Sequence, residues 1–357
     1  MATLTVKQDG SAQYTSLGAA TTAAALGDTV EIQDSTTYAE VINLGSYIGG
    51  GWQKTVNYRA LAGQTPIWDG TGRLLPAIDA SMPLQAGGVP VIDLRGIKFT
   101  NWNYDSGVSG GVLRAGDDTA FQCFDCTFQS CATTVVNYMR GTVGSPTKLH
   151  RCKFTDVRRL IHKDGFQTDK YLEVFNCLVV PIAAYTVLSA EWTEARAYNC
   201  TVYAKPGGNE HGIKAGEVRN CIVVVPAGFS GNVAITATVQ SSNCCVFGTW
   251  GTTFSGPQGS GNITVDPQFA NASTSDFHLL TGSPCNNVGA TLAEIINDLD
   301  TVVRPQGSAY DIGAYEFIAE TSISVSADEL ARRRQLPATR HPNAGTFVRI
   351  YPTTRKA

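Results

Sequence analysis

Asp125-Cys126-Thr127-Phe128, Arg151-Cys152-Lys153-Phe154, Asn176-Cys177-Leu178-Val179, Asn199-Cys200-Thr201-Val202, Asn220-Cys221-Ile222-Val223 and, more loosely, Asn243-Cys244-Cys245-Val246 are six returns of one phrase. The cysteines recur every 21 to 26 residues, and a period of that size is the signature of a solenoid. Gly96-Ile97-Lys98-Phe99 is an earlier, less regular copy. Apolar residues alternate before the first residue of the phrase (Phe121 and Cys123, Leu172 and Val174, Ala195 and Ala197) and again after it. Period-two alternation rich in Val, Phe, Tyr and Thr means strands. The Asn or Asp between the two runs suits a tight bend, because both tolerate the left-handed backbone region. Strand, bend, strand, repeated and stacked, describes the rungs of a parallel β-helix.

These rungs resemble the right-handed, pectate-lyase-like β-helix superfamily, whose bends often carry a stacked Asn ladder; the leucine-dense consensus of a leucine-rich horseshoe is absent. The expected fold class is all-β: a right-handed parallel β-helix solenoid with an N-terminal helical cap and a small C-terminal appendage. Residues 1–45 form the cap and first rung, 46–317 the β-helix, and 318–357 a basic arm of one short helix and one strand. Thr15 or Ser16 can cap a helix over Leu17 to Leu26, with Gly27 as its stop. Such a helix covers the end of the solenoid, which would otherwise expose strand edges.

Composition agrees with a solenoid. Of 357 residues 43% are hydrophobic, 16% are charged and 36 are glycine. The net charge of -3 argues against a nucleic-acid partner. No run approaches the ~20 apolar residues of a membrane span. The stretch Met1 to Lys7 lacks the layout of a signal peptide, which implies synthesis in the cytoplasm. Among the 10 cysteines, those of the phrase (Cys126, Cys152, Cys177, Cys200, Cys221, Cys244) share one inward position. Stacked side chains ~4.8 Å apart and pointing in parallel do not meet the ~3.8 Å converging Cβ geometry of a disulfide. They read as a reduced ladder of small hydrophobes. Cys123 and Cys126 form a CxxC, but it stands alone inside the repeat, so no metal and no cofactor are expected. Pairing of Cys123, Cys131, Cys245 and Cys285 stays open.

The alternation also fixes which residues face outward. One outer column, next to the bend, is Phe124, His150, Phe175, Tyr198 and Arg219. A row of aromatics there is a ladder beneath a loop, a subunit contact, or a platform for sugar rings. The next column, Gln122, Lys148, Glu173, Arg196, Glu217 and Gln240, alternates in sign so that adjacent rungs can pair charges.

Asp266-Pro267-Gln268-Phe269, Asp276-Phe277-His278-Leu279, Gly282-Ser283-Pro284, Arg304-Pro305 and Asp311-Ile312-Gly313-Ala314-Tyr315-Glu316 are similar to the closing segment of β-helix proteins of the choice-of-anchor Q type. That pattern usually continues Gly-Ser-Pro with Ala and an apolar-Asp pair, where this chain has Cys285-Asn286-Asn287. Residues 318–357 hold seven Lys or Arg against three acids, including Arg332, Arg333, Arg334, Arg340 and Arg349. Ser326-Ala327-Asp328-Glu329 is a capping box for their helix, and the segment reads as an attachment arm or a plain cap.

Three functions fit. The first is a virion-surface protein of a bacteriophage, a capsid decoration or tail-associated β-helix made in the host cytoplasm; it would form a homotrimer and bind other virion proteins. The second is a polysaccharide lyase or glycoside hydrolase, with candidates Asp156, Arg158, Arg159, His162, Lys163, Asp164, Glu191 and Glu194; none follows a recognised catalytic spacing, so no residue is assigned a catalytic role. The third is a non-catalytic module that binds a cell-surface polysaccharide through the aromatic column.

Overall fold

The computed structural model describes residues 1–44, 55–80, 91–103, 111–115, 119–137, 146–162, 172–181, 188–189, 194–204 and 211–319. Two compact units divide at Ile318/Ala319. Arg332, Arg333, Arg334, Arg340 and Arg349, together with the helix and strand expected around them, lie outside the described residues.

The first unit is a parallel β-helix. Strands that precede the bend stack into a 12-stranded sheet, and strands that follow it into a 9-stranded sheet. The bend residues adopt the expected left-handed conformation at Asp125, Asn176, Asn199, Asn220 and Asn243, with φ between 49° and 56°. Gly96 takes the same turn at φ 67°, so the irregular early copy is a true rung. Arg151, a residue with no affinity for this region, is held there at φ 50° by two guanidinium bonds of 2.7 and 2.9 Å to Asp125.

A strand, a bend and a strand do not complete the turn. Among the described residues, five rungs carry a third short strand (Ile42–Asn43, Ile78–Ala80, Leu113–Ala115, Thr134–Asn137, Arg159–His162), and these make a third parallel sheet. A second left-handed bend at Asn101, Ser130 and Asp156 leads toward it.

The interior is a set of stacks. On the second sheet Trp68, Phe99, Phe128 and Phe154 lie ring on ring with centroids 5.5, 4.9 and 5.2 Å apart, and valines 179, 202, 223 and 246 continue the file. All phrase cysteines are buried free thiols. Each donates to a first-sheet carbonyl one rung back, as in Cys177 Sγ to Leu149 O (3.1 Å), Cys200 to Val174 O and Cys221 to Ala197 O (both 3.2 Å). Cysteine therefore fills a small apolar site beside the bend and also satisfies a carbonyl there, which valine could not.

At the N-terminal end Ser16 caps a helix that runs only over Leu17–Ala23, shorter than expected. Glu40 accounts for its position: its carboxylate accepts from Leu17 N (2.8 Å) and Gly18 N (2.6 Å), so two first-turn donors are held by the neighbouring rung. Ala24 already leaves the helix as an extended residue.

At the other end the chain turns back along the outside of the solenoid. After the last long strand, Trp250–Ser255, an antiparallel pair (Phe269–Asn271 with Asp276–Leu279) opens a turn-rich closing segment. It covers the outer face of the second sheet, where the outward position after each cysteine changes from Thr127 and Lys153, partly exposed, to Leu178, Thr201, Ile222 and Cys245, all buried. Gly313 makes the closest approach. Its φ is 105°, its N–H reaches Asn220 O at 2.8 Å, and a Cβ would lie 2.7 Å from Ile222 Cδ1.

The closing motifs are structural pins. Arg304 and Glu316 form a 2.7 Å ion pair at 0% and 1% side-chain exposure. Arg304 also donates to Asp311 O (3.1 Å) and Gly313 O (2.8 Å). Asp311 accepts from Asn287 N (2.6 Å) and Phe317 N (2.5 Å), and Asp298 from Asp300 N, Val302 N and Glu316 N. Burial pushes the Asp311 and Glu316 carboxyls above the usual range and draws the Arg304 guanidinium down, so desolvation dominates at this site.

Candidate functional site: the outer aromatic and charged column

The outer column of the first sheet is longer than its aromatic part. Strand register runs it continuously through Arg59, Arg95, Phe124, His150, Phe175, Tyr198 and Arg219. The Arg95 guanidinium carbon stands 4.4 Å over the Phe124 ring. Phe124 meets His150 edge-on at 5.3 Å, His150 stacks on Phe175 at 4.6 Å, and Phe175 lies parallel to Tyr198 at 4.9 Å. Arg219 closes the row 5.8 Å over Tyr198.

The column has two halves. Phe175 and Tyr198 are buried beneath Leu292, Ile295 and Tyr310 of the closing segment. These two rings lie as a ladder beneath a loop, and the chain's own closing segment occupies the surface that a subunit or a sugar would need there. The bend asparagines sew the cover down, through Asn176 Nδ2 to Asn297 O (2.8 Å), Asn220 Nδ2 to Ala290 O (2.8 Å) and Asn243 Nδ2 to Val288 O (2.9 Å). Toward the N-terminus the column is open: Arg59 and Arg95 side chains are 46% and 53% exposed, and Phe124 and His150 partly so.

Charges along the open half are neutralised in pairs. Arg59 holds Glu31 at 2.7 Å, Arg95 holds Asp93 at 2.7 Å through two nitrogens, and Arg151 holds Asp125 at 2.7 Å. Lys148 reaches Glu173 across the rungs at 3.0 Å, as the alternating column predicts, and His150 Nε2 lies 3.2 Å from the same carboxylate. Burial would push the Glu173 carboxyl up, but the neighbouring His150 and Lys148 outweigh it and bring it down to about 2. Arg59 and Arg95 escape notice in the sequence because their rungs lack the cysteine phrase. The signal is Gly96: taken as a bend residue, it puts Arg95 in register with Phe124.

A second charged cluster marks the seam between closing segment and solenoid. His278 Nδ1 is 2.6 Å from Asp276 and its Nε2 3.0 Å from Asp300, which Lys153 holds at 3.0 Å from the second sheet. The hydrogen bonds to Asp300 and Asp276 raise His278 to about 9, and that from His278, then Lys153, lowers Asp300 to about 2.

The catalytic candidates do not form one described constellation. Asp156 sits exposed at the bend after the second sheet, Arg158 and Arg159 follow it into the third, and Glu194 is exposed at the entry to the first. His162 is placed by its backbone alone, opposite Asn137. Lys163, Asp164 and Glu191 lie outside the described residues.

No family model matches the chain, and no curated protein matches it. Among solved structures it is similar to a pectate lyase, Pel9A, at 14% identity and a TM-score of 0.44 over 89% of this chain and 97% of that one. It is also similar to the pectin methylesterase from Aspergillus niger, at 12% identity and a TM-score of 0.41 over 76% and 92%. The activities named belong to those proteins.

Proposed function

We propose that the chain is a surface-displayed structural β-helix whose open outer column recognises a neutral glycan. The observation that carries this is the division of one column: its C-terminal half is sealed by the protein's own closing segment, and its N-terminal half presents Arg59 and Arg95 to solvent with Phe124 partly exposed beside them. The edge of the Phe124 ring, flanked by paired carboxylates and guanidinium groups, offers a sugar an apolar contact with donors and acceptors on each side. Rungs ~4.8 Å apart repeat that offer at the scale of one sugar ring. Because the charges are matched pair by pair, a hydroxyl-rich neutral chain fits better than a polyanion. We place it on a virion, joined to other virion proteins through 318–357, whose seven Lys or Arg against three acids suit an acidic docking surface.

Affinity electrophoresis of the full chain through gels containing dextran, mannan or polygalacturonate tests the recognition role. Retardation by a neutral polymer that Phe124→Ala abolishes is expected. Retardation by polygalacturonate alone, or retardation that Phe124→Ala leaves unchanged, would overturn it. Light scattering on the same proteins separates the subunit-contact alternative: a trimer that Phe124→Ala dissolves assigns the open column to subunit packing instead.

A further inference from the structure

We infer that Cys245 and Cys285 are a redox pair that joins as a disulfide in oxidising surroundings and ties the closing segment to the last rung of the second sheet. Both cysteines break a pattern. Neighbouring cysteines 244 and 245 face opposite ways, Cys244 into the ladder and Cys245 outward, at a position that Thr127, Lys153, Leu178, Thr201 and Ile222 fill in earlier rungs. Cys285 follows Gly-Ser-Pro where the resembling pattern has Ala. The two meet: both side chains are fully buried in one apolar cluster, where each thiol shifts the other, Cys245 down and Cys285 up.

Their geometry differs from that of the ladder. Ladder thiols rise from parallel strands of one sheet, whereas Cys245 stands on the outer face of the second sheet and Cys285 on the closing segment that covers it. Each backbone is fixed. Cys245 N donates to Cys221 O (2.8 Å), Cys285 N donates to Ser283 Oγ (3.1 Å), and Cys285 O accepts from Ile312 N (2.9 Å).

With glutathione disulfide as oxidant, Cys245 releases its proton and its thiolate attacks one glutathione sulfur, the glutathione S–S bond breaks, and the leaving glutathione thiolate takes up that proton. Cys285 sulfur then displaces the second glutathione from Cys245, and its proton passes to that leaving thiolate. The protein loses two hydrogens and two electrons, and two reduced glutathiones form. Because both sulfurs are buried in the finished fold, the first exchange takes place before the closing segment docks and the second as it docks.

The test is refolding of the full chain in reduced and in oxidised glutathione, followed by non-reducing peptide mapping and thermal melting. A Cys245–Cys285 linked peptide with the remaining cysteines alkylated, and a melting temperature several degrees above the reduced form, is expected. Cys285→Ser should lose both the linked peptide and the gain. Alkylation of both Cys245 and Cys285 after oxidative refolding, a link within the ladder instead, or a link that leaves melting unchanged would overturn the inference; the wild-type map decides even if the variant does not fold.

Discussion

Asn220 shows why the bend residue is Asn. It holds φ 51°, donates to Asn199 Oδ1 (3.2 Å) and Ala290 O (2.8 Å), and accepts from Ala290 N (2.8 Å). One side chain thus supplies the turn, the link to the next rung and an anchor for the cover. Asn220→Ala loses those bonds at about 1 kcal/mol each and adds about 1–2 kcal/mol of left-handed strain. Urea unfolding should show a loss near the sum, and Asn220→Gly should recover the strain portion alone. Equal losses for Ala and Gly would mean the backbone conformation contributes nothing. Arg304 and Glu316 act at the same scale in the opposite medium. Removing one partner leaves a charge buried without compensation, so Glu316→Gln should cost about 3–5 kcal/mol, measured as a fall in denaturant midpoint. Their paired replacement by apolar residues should cost less than either alone.

Among the elements, two stacks set the energetics. The file of Trp68, Phe99, Phe128 and Phe154 has no room to collapse, because each ring lies between two others or against the wall of the solenoid. Phe128→Ala should therefore cost about 3–5 kcal/mol. The seam at His278 is pH-dependent, and the sign follows from its neighbours. Its folded value, about 9, lies above the ordinary 6.5, so its contribution is complete below about pH 6.5 and lost as pH rises through 9. Asp300 is lowered from 3.8 to about 2, so its contribution is complete above 3.8 and lost on the acid side. With His278 49% and Asp300 38% exposed, solvent screening keeps the effect to at most about 1 kcal/mol. Wild type and His278→Gln should differ in melting temperature below pH 6.5 and converge above pH 9; a gap that does not change with pH would contradict this. How far the elements were legible follows the same chemistry. Rungs with the cysteine phrase could be read residue by residue, because bend, inward and outward positions each restrict residue type. The third sheet could not: its strands are short, and Asn101, Ser130 and Asp156 at the bend before it share no repeated phrase.

At the scale of the molecule, the closing segment decides what the solenoid can do. Its course over the outer face was written in the change from Thr127 and Lys153 to Leu178 and Ile222, outward positions that turn apolar where a cover is needed. The aromatic column alone gave no such warning, since Phe and Tyr suit a covered ladder and an open platform equally. The same file of side chains is consequently core at Phe175 and Tyr198 and surface at Phe124 and Arg95. The most direct test of this account compares Phe124→Ala with Phe175→Ala in one experiment that reads both thermal melting and retardation in a neutral-glycan gel. The account predicts that Phe124→Ala loses retardation at nearly unchanged melting temperature, while Phe175→Ala lowers the melting temperature and keeps retardation in the folded fraction. Loss of retardation in neither variant, or the same loss of stability in both, would contradict it.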